Sequence, residues 1–185
     1  MKLTILLICC CHVLGFVAPA HGATIDVVYS FAPVVNGPHN PQGGLTQDSD
    51  GTFYGTTYGG GSGNSFGTVF KVTPTGTMTK LFSFNNSNGA RPQAGLIRGN
   101  DGKFYGTTSQ GGLNNKGTVF GISTNGILSG SVSFNGTGTV GNGFNGSFPY
   151  GGLVEGSPGV FYGTTFQGGS NDMGTVFRYN HNGVL

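Results

Sequence analysis

The chain has 185 residues, the length of one ordinary domain, of which 38 are Gly and only 8% carry a charge. A formal net charge of +2 with no basic run excludes an electrostatically driven nucleic-acid or anionic-membrane partner. The glycines recur at fixed places among Val, Phe, Tyr and Thr, which indicates short strands and tight turns rather than a disordered polymer.

The first twenty residues differ from the rest. Lys2 precedes an apolar run from Leu3 to Val17, and Ala18-Pro19-Ala20 follows as an A-x-A cleavage pattern. The run is short for a bilayer span, so residues 1–20 read as a secretory signal peptide, with an uncleaved anchor as the alternative. Cys9, Cys10 and Cys11 all lie inside it, and the continuation of the apolar run past Cys11 argues against lipid attachment. The mature chain then has no thiol or disulfide chemistry in an oxidising, extracellular or cell-surface setting.

Thr24 to Phe31 is rich in β-branched and aromatic residues and is expected to form a strand. A repeated unit follows. Phe53-Tyr54-Gly55-Thr56-Thr57 returns at Phe104 and at Phe161, and Gly67-Thr68-Val69-Phe70 returns at Gly117 and at Gly174. The copies span 43–84, 94–134 and 151–185, the last ending where its fourth strand begins. The third is preceded by an insertion, Gly136 to Phe144, that marks a surface loop. One unit holds strand a near Gly44–Gln47, strand b Thr52–Tyr58, strand c Gly67–Val72 and strand d Thr77–Phe84, joined by Gly-rich loops and turns. Four antiparallel strands per unit of about 50 residues is the pattern of a β-propeller blade, ahead of a β-sandwich or other stacked meander.

Read from Thr24 the order is d, abc-d, abc-d, abc. The N-terminal strand could therefore complete the third unit and close a ring. Three blades fall short of the roughly four a closed ring needs. The expectation is a fragment of a longer array, or self-association with a second copy to complete the ring.

The unit G-L-x-x-[DN]-x-D-G-x-F-Y-G-T-T-x-x-G-G…G-T-V-F-x-[IV]-[ST]-x-x-G…S-F, carried by Thr24 to Leu185, resembles the GloVer tandem repeat of secreted bacterial proteins, the choice-of-anchor class. The resemblance implies an exported, propeller-like protein, usually with a C-terminal sorting or anchoring segment. It implies no catalytic activity that can be carried over to particular residues.

Propeller geometry puts the d→a and b→c loops on one face. That face would carry Tyr58, Asn64, Asn114, Asn115, Phe148, Tyr150 and Asn171, amides and aromatic rings suited to an uncharged polar ligand such as a glycan. The plainer reading is that Gly and Asn only make the turns. The acidic turn Asp48-Ser49-Asp50-Gly51 reads as a turn rather than a Ca²⁺ loop, because no Glu-terminated ligand series follows. The stretch GGLNNKGT from Gly111 lacks the order of a phosphate loop. Thr56-Thr57, Thr107-Thr108 and Thr164-Thr165 read as strand residues, with a ring of hydroxyls around a channel as the alternative.

His21, His39 and His181 fall at unmatched repeat positions, and no metal-ligand pair or nucleophile elbow occurs. Glu155 and Asp172 could pair, although nothing in the spacing requires it. Sequons at Asn85, Asn135 and Asn145 are what chance yields in so Asn/Ser/Thr-rich a chain. Neither metal nor cofactor is expected. The sequence reads as a secreted, non-enzymatic interaction or structural module; the alternative is an extracellular propeller hydrolase or lyase acting on carbohydrate or lactone.

Overall fold

The computed structural model describes residues 25–32, 34–136 and 146–181. The signal-peptide reading, Thr24, most of the Gly136–Phe144 insertion and residues 182–185 lie outside them.

Short runs of β-branched and aromatic residues, punctuated by Gly turns, produce strands throughout, and the described residues contain no helix. Repeat one holds β1 (His39–Pro41), β2 (Thr46–Gln47), β3 (Phe53–Gly59), β4 (Thr68–Val72) and β5 (Met78–Ser83). Repeat two holds β6 (Ile97–Arg98), β7 (Phe104–Thr108), β8 (Thr118–Ile122) and β9 (Leu128–Ser133). Repeat three holds β10 (Gly146–Ser147), β11 (Val154–Ser157), β12 (Val160–Thr165), β13 (Gln167–Gly168) and β14 (Thr175–Asn180).

Each repeat is an antiparallel meander: β2-β3-β4-β5, β6-β7-β8-β9 and β11-β12-β14. Among the described residues no sheet closes on itself. The expected strand a is broken in repeat one. β1 pairs with the Thr57–Gly59 end of β3 and β2 with its Phe53–Tyr54 end, and Gly43-Gly44 lies between the two pieces. Repeat two replaces β1 by a single bridge, Ala90 to Gln110, and repeat three by the β10–β13 pair.

The apolar cores lie between repeats rather than within them. Successive residues of a strand point to opposite faces, so the Phe-Tyr pair of repeat two serves both neighbours. Phe104 joins Tyr54, Val69 and Phe84 of repeat one, while Tyr105 joins Phe161, Phe177 and Tyr179 of repeat three. Tyr54 stacks on Phe104 at 4.1 Å, and Tyr105 lies 4.2 Å from Phe161. A second aromatic contact recurs at each junction, edge to face: Phe84 on Phe120 at 5.1 Å and Phe134 on Phe177 at 4.9 Å. Geometries of this kind add about 0.5–1.5 kcal/mol per pair beyond area burial.

The N-terminal segment departs from expectation: residues 25–32 form no strand. Its expected sheet partner, the outer edge of β14, belongs to repeat three, whereas the segment packs on repeat one. There it occupies the place a preceding strand d would take. Phe31 meets Phe70 edge to face at 5.3 Å, and Val28 O lies over Gly76 as Leu81 O lies over Gly126. The side-chain packing of a fourth strand is present without its ladder.

The motif glycines follow from the thinness of the sheets. Gly55, Gly106 and Gly163 sit opposite Phe70, Phe120 and Phe177 in the ladders. A Cβ at these three glycines would stand 2.5–2.9 Å from the ring Cζ of the facing Phe and 2.8–2.9 Å from Leu45, Leu96 or Leu153. The ring lies across the bare glycine, and any side chain would expel it. Replacing Gly106 by Ala should therefore overpack this site and cost about 1–3 kcal/mol. Gly44→Ala, with nothing within 4 Å of the added carbon, should stay within about 0.5 kcal/mol of wild type. Urea unfolding of the two variants checks the contrast.

Candidate functional site

The two Thr residues of each FYGTT block divide the work. The second, at Thr57, Thr108 and Thr165, donates to the carbonyl two residues on and shares a hydroxyl–hydroxyl bond with Thr68, Thr118 or Thr175 at 2.7–2.9 Å. The first bonds the next repeat: Thr56 Oγ1 donates to Ala94 O at 3.0 Å and Thr107 Oγ1 to Gly151 O at 3.2 Å. These hydroxyls stitch a sheet internally and tie it to its neighbour; among the described residues they form no ring around a channel.

The b→c and d→a loops do meet at one end of the stack. Gly61 N donates to Asn36 O and Gly112 N to Asn86 O. The residue before the loop proline is left-handed in all three repeats: Asn40 at φ 57°, Arg91 at 54° and Phe148 at 57°. In Arg91 and Phe148 its backbone is clamped between two repeats. Arg91 N donates to Phe66 O while Arg91 O accepts from Ser109 N; Phe148 N donates to Lys116 O while Phe148 O accepts from Phe166 N. This double clamp holds an unfavourable φ that a non-glycine residue rarely adopts, and it turns the side chain into a fixed projection on the rim.

Among the described residues, three aromatic contacts line that rim. Arg91 Nη1 donates to Tyr58 Oη at 2.8 Å, with its guanidinium carbon 5.2 Å from the ring centroid. Lys116 Nζ stands 4.9 Å over the Phe148 ring. Tyr150 and Phe166 pair at 5.6 Å and remain 45% and 63% exposed. A cation on one face of an aromatic ring is worth about 0.5–1 kcal/mol at such exposed sites.

The structure thus brings Tyr58, Phe148 and Tyr150 to one rim. Asn64, Asn114 and Asn171 are exposed in the b→c loops beside it. Asn115 is occupied differently: its Oδ1 accepts from Gly111 N at 2.9 Å and closes its own loop. Ser65 and Asp172 do the same for Gly60 and Gly168. Arg91, Lys116 and Phe166 escape a reading based on Asn and Gly. Their signal is positional, since Arg91 and Phe148 both precede a loop proline.

The acidic groups serve turns. Asp50 and Asp101 each accept the backbone N–H two residues on, the Asx turn that such residues favour. Asp48 pairs with Arg98 Nε at 2.7 Å across to repeat two. Glu155 reaches back to Asn100 and accepts from Gly159 N at 2.8 Å. Glu155 lies beside the β11–β12 turn and Asp172 in the loop before β14, at opposite ends of the same sheet, so they do not pair. No group of three metal-ligating side chains converges among the described residues.

Asp101 is the centre of a titratable cluster at the turn end. It accepts from Tyr105 Oη at 2.8 Å and pairs with Lys103 Nζ at 3.0 Å, and His181 Nε2 stands 3.7 Å away. Burial pushes its pKa up, but hydrogen bonds from Lys103 and Tyr105 outweigh that and hold it below the usual carboxylate range. Burial first, then the bond to Asp101, keeps Tyr105 protonated to high pH.

These observations define an all-β tandem-repeat protein whose sheets are joined by aromatic layers and whose loops gather at one rim. The chain belongs to the Gloeobacter/Verrucomicrobia repeat family, which matches residues 16–185. No curated protein matches it.

A carboxylate with a lowered folded-state pKa stabilises the fold above its unfolded pKa, and the contribution is lost as pH falls through the folded value. Asp101→Asn should therefore lower Tm at pH 7 and flatten the loss of Tm below roughly pH 4. Thermal melts of both proteins across that range test this.

Proposed function

We propose that this chain is an exported, propeller-like repeat module that binds a polar polymer such as a glycan on its loop rim and carries out no catalysis. The observation that carries the reading is a row of aromatic contacts, Tyr58–Arg91 and Phe148–Lys116 between repeats and Tyr150–Phe166 within repeat three. Aromatic faces stack on the apolar faces of sugar rings, and fixed amide and guanidinium donors read hydroxyls. The double backbone clamp preorganises Arg91 and Phe148, which lowers the ordering cost of binding.

Arg91 and Lys116 refine the expectation of a wholly uncharged ligand, because they also suit a polymer with scattered acidic groups. The apolar first twenty residues and their Ala18-Pro19-Ala20 pattern support export to the cell exterior. Among the described residues, no acid, base and nucleophile come together at the rim, which is why a binding module is favoured over a hydrolase or lyase.

Affinity electrophoresis against neutral and acidic polysaccharides tests the proposal. Retardation by at least one polymer is expected, weakened about fivefold or more by Tyr58→Ala or Phe148→Ala, as when one aromatic contact of about 1–3 kcal/mol is lost. Binding untouched by both substitutions, or release of sugar products, would overturn it.

A further inference from the structure

Each internal junction carries a cation on a ring at the rim, but the two pairs are built from different positions. Between repeats one and two the ring is Tyr58, at the end of β3, and the cation is Arg91, in the d→a loop. Between repeats two and three the ring is Phe148, in the d→a loop, and the cation is Lys116, just before β8. At the other junction the positions of Tyr58 and Lys116 hold Ser109 and Phe66. The repeat motif therefore imposes neither pair, and ring and cation have exchanged places while the pairing is kept.

Charge is sorted between the two ends of the stack. Of the six acidic residues only Asp172 lies in a b→c or d→a loop, and its Oδ1 is engaged by Gly168 N. At the opposite end Arg98 and Lys103 are neutralised by Asp48 and Asp101. Arg91 and Lys116 make no ion pair among the described residues, and residues 137–145, beside Lys116, carry no charge. Lys80 Nζ adds a further cation at this end, 3.4 Å from Asn36 O.

From this sorting we infer that the rim takes an acidic polysaccharide, whose carboxylate or sulfate groups meet Arg91 and Lys116 at successive junctions while its sugar rings lie on Tyr58, Phe148 and Tyr150. The inference rests on the glycan-binding reading and narrows it to one charge class. Arg91 gives one N–H to Tyr58 Oη and keeps the rest of its planar fork for a carboxylate or sulfate edge. Lys116 supplies a point charge that attracts either anion without a fixed orientation. The ring beneath each cation holds it in place before the ligand arrives, which lowers the cost of ordering it. So few cations among neutral amides suit sparsely spaced acids, not the dense phosphates of a nucleic acid.

The test compares polymers that share a backbone and differ in charge. Polygalacturonate against its fully methyl-esterified form isolates the carboxylate, and dextran sulfate against dextran isolates the sulfate. By affinity electrophoresis at pH 7 and low salt, the charged member of at least one pair should bind about tenfold or more tighter, and added salt should erode the preference. The pair that shows the preference identifies the anion. Arg91→Asn and Lys116→Met bring in residues already found at the matching positions, Asn40 and Met173. Each should weaken binding of the acidic polymer about fivefold or more, as when one charge-assisted bond is lost. Lys103→Gln, the same charge change at the opposite end, should leave it within about twofold.

Equal affinity for charged and neutral members would overturn the acidic assignment and leave the glycan-binding reading standing. Absence of binding to every polysaccharide tried removes both together. A loss through Lys103→Gln as large as through Arg91→Asn, or duplex DNA held as tightly as the acidic polymer, would assign the effect to overall charge and also sink it. Should either rim variant fail to fold, the comparison of charged with neutral polymer on the wild-type chain still decides.

Discussion

The aromatic layer between repeats is the constraint on which the rest of this structure depends. A sheet of three or four short strands cannot stabilise itself in water, because it has no second layer of its own to bury against. Each sheet here is apolar on both faces and finds its second layer in its neighbour. Tyr54 on Phe104 and Tyr105 on Phe161 are the points where that burial is most specific, since an offset or tilted ring pair fixes lateral position as well as distance.

Close spacing of the layers then determines the smaller residues. A ring lying flat across its own sheet needs a bare backbone beneath it, hence the Gly at 55, 106 and 163. The same closeness operates at the b→c loop, where Gly67 and Gly117 have φ near 97° and the proline of the next repeat packs against them. Polar groups trapped at these junctions have no access to water, so each needs a partner. The threonine hydroxyls supply one, within the sheet or across to the next repeat. The motif is thus a single packing solution in which the aromatic residues attract, the glycines make room and the threonines satisfy the backbone.

Much of this was legible in the sequence because a packing solution used three times leaves a periodic trace. The strand positions follow from the FYGTT and GTVF blocks to within a residue or two. What periodicity could not convey is partnership. Nothing in the spacing says that Phe and Tyr of one dipeptide face different neighbours, or that Thr56 bonds across repeats while Thr57 bonds within one. The segment Ile25 to Phe31 shows the limit most clearly. Its β-branched and aromatic residues promise a strand, yet a strand exists only where an edge is within reach, and that depends on which repeat the segment packs on. The rim was half legible for a similar reason: Tyr58, Phe148 and Tyr150 stand out as aromatic residues among glycines, while Arg91 and Lys116 matter only through the rings they meet.

Identity and difference among the copies separate structure from function. Positions inside the junctions repeat nearly the same residue, because each must fit the same neighbour twice over. The rim behaves otherwise. Asn40, Arg91 and Phe148 share one backbone conformation and one proline, yet an amide, a guanidinium and a phenyl ring occupy the three copies. Tyr58, Ser109 and Phe166 form a second such series. Packing therefore constrains the backbone at these places and leaves the side chain free. A scaffold that repeats its geometry while varying what it projects suits recognition of an extended ligand, along which each copy can contact a different group, better than it suits a reaction that needs one convergent set of side chains.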